Sequence, residues 1–290
     1  MPKKRSNPLR KSPKQAARKA PAPAKPAPRL SFPVYHVDAF TKRIFHGNPA
    51  AVVLLDGKWP ADDLLQSIAV EQNMPMTAIV LRTKNKNIGL RWFNPLKEFN
   101  LCGHATLAAA HVLWNHEKLK GNSLTFTTLG GELHLSRDQD LIAMQLQARP
   151  AVRVRASNAL CAALGRQPSE VYQADMTLAV FENKRDVHAL APDFARIAAL
   201  DTSGVIVTAP GAGHDFVSRY FAPKHGLNED HATGSSHCTL VPYWSNRLRK
   251  QHLTAHQVSP RAGELWCELR GDRVLLGGHA VTFSHGTITM

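Results

Sequence analysis

No stretch of this chain stays apolar for the ~20 residues that a membrane-crossing helix requires, which excludes a bilayer span. The N-terminus lacks the apolar segment of a secretory signal. Cysteine is scarce, with four in 290 residues: Cys102, Cys161, Cys238 and Cys267. None forms a CxxC pair and the nearest two lie 29 positions apart, so neither a zinc ribbon nor a dense disulfide framework is expected. Reduced thiols fit a cytosolic-type compartment. The histidines show no HxH or HExxH spacing, and no metal site is expected. No GxGxxG follows an expected strand and no GxxxxGK[ST] occurs, so nucleotide binding has no support.

Acidic residues are missing from residues 1–30, which hold ten of the 36 Lys and Arg together with seven prolines and six alanines. The remainder carries 26 basic against 22 acidic side chains, close to balance. The formal net charge of +14 therefore belongs to a tail and not to a basic face on the folded body. That tail lacks the apolar periodicity needed to offset its ordering entropy and reads as a disordered extension. It is the one segment with the charge to meet nucleic acid or serve as an import address.

From Ser31 onward, apolar residues make up enough of the chain for a sizeable core. Strands are expected at 32–37, 50–55, 78–81 and 89–93, with a helix capped by Asp62 or Asp63 running to about Gln72. A second helix is expected over about 105–117, followed by a meander over 123–147 turned at Gly130-Gly131. Residues 148–156 read as a linker. Beyond it, helices are expected at 157–164, 191–200 and 235–248, the last shortened or kinked by Pro242. Strands are expected at 204–208 and 216–221, with closing strands over 266–289. This divides the chain into halves 31–150 and 151–290, the final strand free to return to the first half.

The tripeptide His-Ala-Thr occurs at 104–106 and again at 231–233, each time where loop passes into a helix too apolar or small to lie on a surface. An α+β half repeated once, each with a buried central helix, accounts for that echo. Helix starts carry unpaired amides and the positive end of the helix dipole. Two such ends facing each other, made approachable by Gly103, Gly234 and Ser235, could clamp a carboxylate. Ordinary glycine turns would have the same letters.

Four segments together resemble the phenazine-biosynthesis PhzF-like family of isomerases. They are His36-Val-Asp-Ala-Phe40 with Gly47-Asn-Pro-Ala-Ala-Val52, then Ile68-Ala-Val-Glu-Gln-Asn73, Leu101-Cys-Gly-His-Ala-Thr-Leu-Ala108, and Arg219-Tyr-Phe-Ala-Pro223 with Glu229-Asp-His-Ala-Thr-Gly-Ser235. The resemblance implies a diaminopimelate-epimerase-like fold, α+β, in which two similar halves each wrap a curved, barrel-like sheet around a central helix and the active site lies in the cleft between them. It implies a cofactor-free, homodimeric isomerase of a small carboxylated metabolite, in the cytoplasmic setting that the reduced thiols suggest. By matched position, Glu71 is the expected proton shuttle. Gly103 and His104 are expected to contact substrate, Asp230 to be a site aspartate, and Gly234 with Ser235 to form the substrate-binding turn. Two departures stand out: Pro75-Met76 occupies the place of a common Ser-Glu pair, and His231 follows Asp230 where proline is common.

Each residue also has a plainer role. Glu71 could be a solvated end-of-helix glutamate, and Asp230 an N-cap-type aspartate. His104, at a helix start, is expected to be neutral. Cys102, just before that helix, is either a small filler or a thiol base. As a base it would give an epimerase or racemase, with His231 the nearby second base. A non-catalytic binding or scaffold protein of the same fold is the third alternative.

Overall fold

The computed structural model describes residues 30–83 and 87–290. The basic tail lies outside the described residues apart from Leu30, whose carbonyl accepts from the Met290 amide at 2.9 Å. The first half runs β1 (Ser31–Ala39), β2 (Asn48–Asp56), α1 (Asp62–Gln72), β3 (Thr77–Arg82), β4 (Ile88–Phe93), β5 (Glu98–Phe99), α2 (Gly103–Asn115), β6 (Ser123–Thr128), β7 (Gly131–Asp138) and β8 (Leu141–Gln147). The second runs β9 (Val152–Val154), α3 (Asn158–Leu164), β10 (Glu170–Gln173), β11 (Thr177–Val180), α4 (Lys184–Ala189), α5 (Phe194–Ala199), β12 (Val205–Pro210), β13 (Phe216–Ala222), β14 (Leu227–Asp230), α6 (Gly234–Leu248), β15 (His252–Gln257), β16 (Gly263–Arg270) and β17 (Arg273–Gly278). β18 (Ala280–Thr289) returns to pair antiparallel with β1.

Strand pairing follows one scheme twice. In the first half β2 and β3 are parallel across α1, β3 and β4 antiparallel, and β4 and β6 parallel across α2. In the second, β11 and β12 are parallel across α4 and α5, β12 and β13 antiparallel, and β13 and β15 parallel across α6. A short strand branches from the middle of each, β5 from β4 and β14 from β13. β18 flanks β1 as β9 flanks β10, and β8 meets β17 where the two curved sheets join. The result is one open sheet wrapped around two helices, the α+β architecture expected above.

The two central helices are buried because their sequences are nearly free of charge and rich in small residues. α2 is covered from Gly103 through Trp114, and Ala105, Ala108, Ala109 and Ala110 let β1, β2, β3, β8 and β18 close around it. α6 buries Cys238, Leu240, Val241 and Trp244 against β15, β16 and β17. Pro242 does not end α6, which continues to Leu248 and stops with Arg249 in the left-handed conformation. Fully burying a leucine such as Leu107 contributes about 2 kcal/mol relative to leaving it in water.

Other boundaries moved. α1 is capped by Ala61 without a side-chain bond, and Asp62 and Asp63 fall in the first turn, where they favour the helix dipole. Ser157 does cap α3, accepting from the Leu160 amide, and Gly165 ends it at φ 68. The expected linker contains β9, and the helix expected at 191–200 shortens to α5.

Candidate active site

α2 and α6 meet start to start. A Cβ placed on Gly103 would lie 3.1 Å from the Gly234 Cα, and one on Gly234 would lie 3.2 Å from the Gly103 Cα. Only glycine at both positions lets the helix N-termini approach this closely, so their free amides converge on one place. The residues preceding the two starts, Cys102 and Thr233, are extended N-caps that make no side-chain capping bond.

Beside this junction, between the halves, lies a cavity of about 920 Å³ lined by Cys102, Gly103, His104, Asp230, Gly234 and Ser235 among others. Its size suits a small organic ligand. Met74, Pro75, Met76, Leu96, Phe99 and Met176 give it an apolar stretch of lining. Arg149 and Asp175 also border it and pair with each other at 2.9 Å.

Asp230 is the carboxylate of the cavity's polar end. One oxygen accepts from Asn48 Nδ2 at 2.7 Å and from the His231 amide at 3.0 Å, the other from Thr233 Oγ1 at 2.6 Å. Burial outweighs these donors and holds its carboxyl above the usual range. Gln257, fully buried on β15, braces the turn, donating to the Asp230 carbonyl at 2.7 Å and accepting from the Thr233 amide at 2.8 Å.

His104 is buried in the first turn of α2. Burial, with His231 nearby, pushes its pKa down to about 3, so the ring is neutral, as its position at a helix start requires. Its Nδ1 lies 3.1 Å from Asn48 Nδ2 and 3.4 Å from Cys102 Sγ. Burial pushes the Cys102 thiol up to about 12, keeping it protonated despite the helix start beside it. The Tyr220 phenol, also facing the cavity, is raised by burial and by Asp230.

The structure thus brings five of the six expected site residues together. The sixth, Glu71, is elsewhere. α1 turns Leu65, Ile68 and Ala69 to the sheet, and Glu71 falls with Val70 on the exposed side, outside the cavity lining. The chain enters the cavity only at Asn73. Pro75 and Met76, in the place of the Ser-Glu pair, do line it, so neither position offers a carboxylate. Asp230 makes no direct bond to His104, because Asn48 stands between them. His231, weighed as an opposing base, is outside the lining.

Three participants were not singled out from the sequence: Asn48, Thr233 and Gln257. Asn48 lay within the Gly47-Asn-Pro segment that carried the resemblance. Thr233 lay in the echo, but the echo is out of register. The first residues of α2 and α6 are 131 positions apart and the His-Ala-Thr copies 127, so the structural counterparts are Cys102 with Thr233 and His104 with Ser235.

The comparisons with known proteins agree with this architecture. The family model described as phenazine biosynthesis-like protein, PhzC-PhzF, matches residues 37–286. A Pseudomonas aeruginosa protein named an uncharacterized isomerase is 47% identical over 257 residues, covering 88% of this chain and 98% of that one. The crystal structure of a phenazine biosynthesis protein of the PhzF family from Enterococcus faecalis superposes with a TM-score of 0.87 at 41% identity, covering 90% of this chain and all of that one. A hydroxyproline epimerase from Agrobacterium vitis shares the fold alone, with a TM-score of 0.62 at 9% identity over 90% of this chain and 93% of that one. The chain belongs to the PhzC-PhzF family of phenazine biosynthesis-like proteins, as an isomerase of that family.

Proposed function

We propose that the protein is a cofactor-free isomerase that moves a proton between carbons of a small carboxylated metabolite, with Asp230 as the general acid and base. The observation that carries this is convergence: a carboxyl raised by burial, a neutral imidazole and two facing helix starts border one cavity. The substrate carboxylate sits at the amides of Gly103, Gly234 and Ser235, where backbone donors and helix dipoles favour negative charge. Asp230 takes a proton from the adjacent carbon. In a substrate with a carbon–carbon double bond next to that carbon, the released electron pair delocalises over the double bond and the carboxylate as a dienolate-like anion, stabilised by the same amides and by His104. Asp230 then returns the proton to the far carbon of that double bond, which shifts one position toward the carboxylate, so that charge, bonds and atom count are restored. A raised pKa suits a group that must hold and release a proton near neutral pH.

The Met-rich apolar stretch of lining favours a substrate whose body is apolar and whose charge lies at one end. Free thiols at Cys102, Cys161, Cys238 and Cys267 support a cytoplasmic setting. A homodimer, and contact of the basic tail with nucleic acid, remain part of the proposal from sequence. Glu71 could act as the shuttle only if the end of α1 rearranged on binding.

One observation favours a second reading. Cys102 caps α2 and its Sγ lies 3.4 Å from His104 Nδ1, an arrangement able to activate a thiol for epimerisation. Solvent deuterium incorporation over a panel of small carboxylates separates them. Asp230→Asn should abolish exchange and Cys102→Ala preserve most of it. The reverse pattern assigns the chemistry to the thiol.

A further inference from the structure

Asn48, the first residue of β2, is fully buried, and its side chain reaches the polar end of the cavity. Its Nδ2 is surrounded by three acceptors: Asp230 Oδ1 at 2.7 Å, the Ala232 carbonyl at 2.9 Å and His104 Nδ1 at 3.1 Å. Its Oδ1 is buried with no hydrogen-bond partner among the described residues. Leaving a buried amide oxygen unpaired is costly. Turning the amide over would be worse, because Oδ1 would then face a carboxylate oxygen, a carbonyl and the lone pair of a neutral imidazole. The orientation is therefore dictated by the partners.

An amide nitrogen carries two hydrogens. One goes to Asp230, the shortest contact, and the other is shared between the Ala232 carbonyl and His104 Nδ1. His104 Nδ1 is then completed by the Cys102 thiol, 3.4 Å away and protonated. Every neighbour of Nδ1 is a donor, so the ring proton belongs on Nε2. We propose that Asn48 is the positioning residue of this site: its amide ties the first half to the Asp230 turn of the second, holds the Asp230 carboxylate, and with the Cys102 thiol fixes His104 as the Nε2–H tautomer. The inference rests on the assignment of Asp230 and His104 to the chemistry. It adds a function for Cys102 that needs no thiolate, and it explains why an asparagine with an orphaned oxygen occupies this place.

The groups facing Asp230 are few. Cys102 and His104 come from α2, Tyr220 from β13, and His231 follows in the chain with Arg261 and Glu229 beyond it. Asn48 from β2 and Gln257 from β15 are neutral, so loss of the Asn48 donor acts on the carboxyl directly.

The test needs no substrate. Full-length protein carrying ¹⁵N-histidine and ¹³C-carboxyl aspartate would be titrated by NMR, as wild type and as Asn48→Ser and Asn48→Ala, with a melting curve for each. The wild type should show His104 protonated on Nε2. In the variants the Nδ1–H tautomer should appear and the Asp230 midpoint should rise by about one pH unit, the sign expected when a donor to the charged form is removed. A wild-type His104 protonated on Nδ1 overturns the proposal without any variant. So does a folded Asn48→Ser in which neither signal moves. Neither signal depends on turnover, so an active Asp230→Asn would defeat the assignment of the base without bearing on these shifts.

Discussion

Asp230 and Cys102 show how strongly surroundings decide what a side chain does. Both are cavity-facing and both are held in the protonated direction by burial. For the carboxyl that brings proton exchange nearer to neutral pH, whereas a thiol pushed up to about 12 is moved away from it. Asp230→Asn is therefore expected to lower kcat by about 10²–10⁴-fold while substrate still binds. Isotope exchange and a binding titration on the same ligand check this, and unaltered exchange would exclude Asp230. Cys102→Ala removes one donor to His104 and is expected to cost less than about tenfold in rate. At this scale the sequence was informative where chemistry leaves a letter pattern, as with His104 beside Gly103 and Asp230 before Gly234. It misplaced Glu71, because a motif fixes position along a helix but not which side of that helix the sheet covers. It passed over Asn48 and Gln257, whose importance arises from strands that meet only in three dimensions.

The helices α2 and α6 carry the geometry of the site. At the contact of Gly103 and Gly234 a methyl group on either would lie 3.1–3.2 Å from the other's Cα, tighter than ordinary packing. Gly234→Ala is expected to push the two starts apart by a few tenths of an ångström, with an overpacking cost of about 1–3 kcal/mol that the better helix propensity of alanine offsets only in part. A lower melting temperature and a loss of about tenfold in kcat/KM should follow, since small displacements of positioned groups are expensive. A variant as stable and active as wild type would show that the close approach is not required. Both helices were legible from their run of small and apolar residues, and so were their buried settings. Their true correspondence was not, because matching letters were four positions out of step with matching structure. Short strands such as β9, β10 and β14 left too little periodicity to read, and their pairing partners are distant in sequence.

For the whole molecule, acid should be more damaging than the chain's positive charge alone implies. His104, His111 and His237 are buried, and burial pushes them down to about 3, about 4 and about 4. Their folded values lie below the unfolded one. Their neutral forms thus support the fold fully above about pH 6.5, and each withdraws about 1.4 kcal/mol per pH unit below it until its own folded value is reached. Asp230, raised in the fold, works in the opposite direction. Melting temperature should therefore fall steeply between about pH 6.5 and about pH 4.5, and His111→Asn should flatten part of that slope. A flat profile would mean that these rings are not held neutral.

The most direct measurement of the central claim is solvent deuterium incorporation into one exchanged carboxylate, made in parallel on wild type, Asp230→Asn, Glu71→Gln and Cys102→Ala. Wild type and Glu71→Gln should incorporate deuterium alike, Cys102→Ala should follow closely, and Asp230→Asn should incorporate none. Exchange that survives in Asp230→Asn but disappears in Glu71→Gln would place the proton-transfer group outside this cavity's polar end and contradict the account.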